Sequence, residues 1–163
     1  MFPWKPLLAH LLVCLPLTHP IVLAGDLTLP AKPLDSCSVV VQVDDTLRLS
    51  PSSIEVLDGC EQFDVLLRHV GRLPKVATPR NWVLTRQEDA NGVASDAELA
   101  GAKHDWLKPN DMRVLAASSV IGRGEVVRVS IPLKELVPGV QYTYLSTIPG
   151  FSPVLRGTLT VRP

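Results

Sequence analysis

From Cys37 to the C-terminus the chain is built of short apolar runs, each closed by turn residues. SVVVQV (38–43) is β-branched throughout, and Ser53 to Leu57 is a second short run. In EQFDVLLR, Phe63, Val65 and Leu67 fall on one face at period two, with Gln62, Asp64 and Arg68 on the other. Asn81 to Thr85 (NWVLT) predicts a buried strand with Trp82 in the core. MRVLAAS (112–118), EVVRVSI (125–131, after a Gly122-Arg123-Gly124 turn), QYTYLS (141–146) and VLRGTLTVR (154–162) complete the set. Runs too short for helices, at regular spacing with turn signals between them, predict an all-β sandwich or barrel. Fifteen prolines and an aromatic content of only 5% fit many turns around an aliphatic core.

One segment breaks this rhythm. Arg86 to Ala102 (RQEDANGVASDAELAGA) is rich in Ala and acidic residues and poor in β-branched ones, which predicts a helix between strands with Ser95 or Asp96 as its N-cap.

The N-terminus has the character of an export signal. Lys5 precedes an apolar run, Leu7 to Leu17, and Val22-Leu23-Ala24 offers a cleavage site after Ala24. The run is too short to span a bilayer as a helix, so no membrane span is expected after cleavage. Residues 1–24 are thus expected to be a signal peptide, 25–36 (two prolines, no period) a linker, and 37–163 the domain. Export implies the periplasm or the cell exterior. There the remaining pair, Cys37 and Cys60, is expected to form a disulfide, with two separate buried thiols as the alternative. Such a bridge, closing a loop of about 22 residues, contributes roughly 3 kcal/mol through chain entropy. The chain carries 16 basic and 16 acidic side chains, with no clustered basic face for nucleic acid.

Several motifs, in order, resemble those of the azurins, the blue-copper cupredoxins: the Cys37/Cys60 pair, Gly71-x-Leu73-Pro74-Lys75, Asn81-Trp82-Val83-Leu84, Leu107-Lys108-Pro109-x-Asp111, Ile121-Gly122-x-Gly124-Glu125, Pro149-Gly150 and Gly157-Thr158-Leu159-Thr160. The resemblance runs from Cys37 to Arg162. It implies a cupredoxin-like, eight-stranded Greek-key sandwich with a helical flap, and a disulfide at the end opposite the metal. In azurins copper is held by a His before the Asn-Trp pair, a Cys ending the penultimate strand, a His after Pro-Gly and a Met four residues on. A backbone carbonyl from the residue before the first His is a distant fifth contact. At those positions this chain has Arg80, Ser146, Phe151, Leu155 and Pro79.

A blue-copper centre needs a trigonal His₂Cys set with a weak axial ligand. Ser146 offers a hard, protonated hydroxyl, Phe151 and Leu155 have no lone pairs, and Arg80 is a permanent cation with donors only. The expectation is therefore no metal and no cofactor, although the family implies copper. His69 is expected as a packed loop residue, His104 beside Asp105 as a solvated turn, and Met112 as packing at the start of a strand. Ser146 and His69 could join an Asp in a triad only on paper, since neither a nucleophile elbow nor an oxyanion motif is present. No enzymatic activity is expected.

By the same resemblance, Leu47, Leu73, Thr78, Ile148, Gly150, Phe151 and Pro153 mark an apolar patch around the former metal. The expected function is then a domain with a lost type 1 copper site, a non-redox module that binds a protein or other ligand through this apolar loop end. The alternatives are an azurin-type copper-binding electron-transfer protein, and a drifted paralogue without retained activity.

Overall fold

In a computed structural model of the chain, residues 37–57 and 59–162 are described. The expected signal peptide (1–24) and linker (25–36) lie outside the described residues. Among the described residues nine strands form two sheets around one core: β1 (Ser38–Val43), β2 (Leu49–Ser50), β3 (Ser53–Leu57), β4 (Gln62–His69), β5 (Val83–Arg86), β6 (Val114–Ala117), β7 (Val126–Pro132), β8 (Gln141–Leu145) and β9 (Arg156–Arg162). The helix α1 (Ala90–Ala100) stands between β5 and β6.

One sheet has the order β2-β1-β4-β7 and the other β3-β9-β8-β5-β6. β1 pairs parallel to β4, and β3 parallel to β9, while the remaining pairs are antiparallel. The expected eight strands become nine because one of them changes sheets. Leu49–Ser50 pairs with β1, then the chain passes Pro51 and Ser53–Leu57 pairs with β9. Proline has no N–H to give to a ladder, so the pairing breaks there.

The period-two face of β4 is buried as expected, with Phe63, Val65 and Leu67 in the core. Val41, Val56, Ile131 and Leu159 meet them from both sheets. Trp82 is fully buried and stacks on Tyr144, ring centroids 5.6 Å apart. Cys37 and Cys60 form the disulfide, their Cα atoms 5.6 Å apart.

Two local expectations are corrected. α1 begins at Ala90, five residues before the expected cap; Ser95 and Asp96 lie inside it, and Ser95 Oγ donates to the Asn91 carbonyl. A short turn of 3₁₀ helix, Gln87–Asp89, leads directly into α1, so no side chain is needed as a cap. Met112 is not packed but 91% exposed, two residues ahead of β6. The helix buries Ala90, Val93 and Ala97, one narrow stripe of small residues that lets it lie close to the sandwich.

Candidate functional site

Four loops converge at one end of the sandwich: 44–48, 70–81, 118–125 and 146–155. Position 80 is fixed by backbone pairing, since Arg80 and Ile121 exchange N–H···O bonds of 2.9 and 2.7 Å. The Arg80 side chain therefore points inward and is only 1% exposed. Its Nη1 donates to the Pro79 carbonyl at 2.8 Å, and its Nη2 to the Asp44 carbonyl at 3.3 Å. The guanidinium carbon lies 4.3 Å from the centroid of the Phe151 ring, a cation–π contact. Nε has no partner. Burial pushes the Arg80 guanidinium below its ordinary value, while Asp45 and Asp44 pull it upward.

Asp45 balances that charge from across the site. Its Oδ2 accepts from the Arg72 and Leu73 amides at 2.6 and 3.2 Å, and these bonds hold its carboxyl below the usual range. Gly71 makes the approach feasible, because a Cβ there would lie 2.1 Å from Asp45 Oδ1 and 2.5 Å from His69 Cε1. His69 is buried with both ring nitrogens engaged. The Gly71 N–H must donate to Nδ1, at 3.1 Å, which leaves Nε2 to donate to the Thr78 carbonyl at 3.1 Å.

The other three positions close the site from the opposite loop. Ser146 Oγ donates to Asn81 Oδ1 at 3.1 Å, and the Ser146 amide to the Leu155 carbonyl at 2.9 Å. Leu155 is fully buried, and its amide donates to the Phe151 carbonyl at 2.8 Å. Asn81 bridges the two loops: its Oδ1 also accepts from the Thr147 amide at 2.9 Å, and its Nδ2 donates to Thr147 Oγ1 at 2.7 Å and to the Asp105 carbonyl at 3.1 Å. No sequence signal singled out Asn81, although it adjoins Trp82 in the quoted Asn-Trp motif.

Arg80, Pro79, Ser146, Phe151 and Leu155 thus meet in one place. They do not fit copper. The carbonyl of Pro79 is taken by the Arg80 guanidinium, Phe151 lies over the same cation, and Leu155 fills space with hydrocarbon. Among the described residues no three His, Cys, Asp or Glu side chains gather to hold a metal ion. Ser146 and His69 are bonded to other groups, not to one another. His104 is exposed at the end of a 3₁₀ turn.

The expected patch divides. Leu47 and Leu73 are 40% and 47% exposed, Gly150 and Pro153 are exposed, and Phe151 is half-buried. Thr78 and Ile148 lie inside. Thr78 turns toward the Leu73 carbonyl, and the Ile148 carbonyl receives the Phe151 amide in a tight turn whose Gly150 has φ 80°.

No family model matches the chain. It is 40% identical to azurin from Pseudomonas aeruginosa over 126 residues, 77% of this chain and 85% of that one. Azurin from Achromobacter denitrificans is 39% identical over 123 residues, 76% of this chain and 83% of the relative. Among solved structures, the azurin Az-iso2 of Methylomonas sp. strain J superposes with a TM-score of 0.75 at 36% identity, covering 78% of this chain and 99% of that one. With a cupredoxin sandwich, a helical flap and these relatives, the chain belongs to the azurin family.

Proposed function

We propose that this chain is a copper-free member of its family, exported to the periplasm or cell exterior, that binds a protein or other ligand through its apolar loop end. Residues 1–24 serve as the leader and 25–36 as the tether. Relatedness by itself favours the family's electron-transfer role, and the comparisons support that reading better than any binding role. One observation weighs the other way: the buried Arg80 guanidinium donates to the Pro79 carbonyl, at the two positions that by resemblance would face the metal. A buried cation there repels a copper ion, and Ser146 supplies no thiolate.

The rim supports the binding role. Leu47, Leu73 and Pro153 are exposed, and Phe151 presents part of its ring. Arg48, Arg72 and Arg123 are exposed on the adjoining loops and make no ion pair among the described residues. Apolar surface edged by arginine is the usual composition of a protein-binding patch.

Copper titration of the refolded mature protein decides between the two roles. The expected result is no stoichiometric Cu(II) or Cu(I) binding by calorimetry and no reversible one-electron couple. One-to-one copper binding with such a couple restores the electron-transfer role and removes this one. For the rim, Phe151→Asp is expected to leave the fold intact and weaken any partner found with the wild type.

A further inference from the structure

A trough runs between α1 and the 146–155 loop, lined by neighbours of the positions discussed above but by none of the four themselves. It encloses about 350 Å³. Asn91, Ser95 and Glu98 wall it along one face of the helix, and Pro149, Pro153 and Arg156 stand opposite. Spacings of four and three residues place Asn91, Ser95 and Glu98 in one line.

The charges at its two ends are opposite and unpaired. Arg156 is half-buried and held in place: Nε donates to the Ser152 carbonyl at 2.7 Å and Nη2 to Asn91 Oδ1 at 3.3 Å. Two of its five N–H groups are taken, and the rest stay available to a carboxylate. Glu98, at the other end, is exposed. Among the described residues neither makes an ion pair. A second cavity of about 440 Å³ continues past Arg156 and is lined there by Ser52, Gln87, Gln141 and Thr143, with no carboxylate. An anion at Arg156 therefore meets no like charge from that side.

Length selects the ligand. Asn91, which touches Arg156, lies seven residues before Glu98, or about 10 Å along the helix. An extended peptide advances about 3.3–3.6 Å per residue, so three residues cover that distance. We propose that the trough binds a short zwitterionic peptide of about three residues, its C-terminal carboxylate on Arg156 and its N-terminal ammonium at Glu98. The prolines and Ala94 offer small apolar contacts to the side chains between. Charge-assisted hydrogen bonds at both ends set the orientation. None of Arg80, Ser146, Phe151 and Leu155 lines the trough, so this site does not depend on the copper-free reading.

Trialanine is the probe, titrated into isotopically labelled mature protein and followed by amide shifts. Shifts confined to residues 91–98 and 147–156, at least tenfold weaker binding of N-acetyl-trialanine and of trialanine amide, support the site. Glu98→Gln is expected to abolish the preference for a free N-terminus, and Arg156→Gln that for a free C-terminus. Glu98 is exposed, so its variant reports even if Arg156→Gln loosens the loop. No shifts at millimolar trialanine, shifts elsewhere, or equal binding of the doubly blocked peptide overturns the proposal. Copper titration of the same sample reports separately on the proposed function.

Discussion

Asn81 holds the loop end together whatever stands beside it. Its side-chain oxygen accepts from Ser146 and Thr147, and its nitrogen donates to Thr147 and Asp105, all in buried or half-buried surroundings. Replacing it by Ala leaves the Thr147 amide and the Asp105 carbonyl without that partner. Each buried group so orphaned costs about 1–3 kcal/mol. Asn81→Ala is therefore expected to lower unfolding free energy by about 2–6 kcal/mol, as read by urea denaturation; a loss under about 1 kcal/mol would mean that water or a shifted loop replaces the side chain. Arg80 is the contrasting case. It is buried with one N–H unpartnered, and its charge is opposed by Asp45 and Asp44 at a distance instead of in a direct ion pair. Asn81 belongs to the scaffold, whereas Arg80 only occupies the space that the scaffold encloses.

The connection from α1 to β6 is pinned by two cations, since Lys108 bonds Asp96 at 3.0 Å and Arg113 bonds it as well. Arg113 bonds Asp96 on the helix at 2.6 Å and Asp111 in the loop through Nε at 2.8 Å and Nη2 at 2.6 Å. Hydrogen bonds from Arg113 hold the Asp111 carboxyl below its ordinary value, and those from Lys108 and then Arg113 do the same for Asp96. A carboxyl depressed in the folded state contributes stability that is complete above its unfolded value, near 3.9, and fades as pH falls toward the folded one. Stability is thus expected to drop below about pH 4, and Asp111→Asn to be less stable at pH 7 but less sensitive to acid; an unchanged slope between pH 5 and 2 would show that other carboxyls dominate. This pairing was not legible in the sequence, because nothing in residue order says which way Arg113 turns. The strands were legible, since period two in 62–69 and the β-branched run 38–43 state which face is buried. β2 was missed because two residues carry no period. Thr78 and Ile148 were misplaced for a related reason: resemblance locates a loop but not the direction of each side chain in it. Met112 is apolar, yet it precedes the first ladder bond of β6 and so has no sheet to pack against.

At the scale of the whole molecule, the sandwich and the loop scaffold are independent of the side chains at positions 80, 146, 151 and 155. The Arg80–Ile121 bridge, the Ser146–Leu155 bond and the Leu155–Phe151 bond are all made by backbone atoms. The Asn81 bonds to Thr147 and Asp105 use none of the four side chains either. Backbone pairing of this kind places the Cβ atoms at positions 80, 146, 151 and 155 whatever residues follow. The core behind them, with Trp82 on Tyr144, and the disulfide at Cys37 and Cys60 hold the sheets against local change. On the proposed copper-free reading, the obstacle to copper is then the donor set more than the architecture. The fourfold variant Arg80→His, Ser146→Cys, Phe151→His and Leu155→Met supplies two imidazoles, a thiolate and a thioether on that frame, the donor set of a blue-copper centre. It removes the buried cation at the same time. This variant is expected to bind one copper tightly and to show the intense thiolate-to-copper absorption, and the variant that keeps Arg80 but carries the other three changes is expected to bind it far more weakly. If the fourfold variant folds, by circular dichroism, and still binds no copper, the loops do not hold the ligand geometry, and shape as much as donors stands against copper at this end.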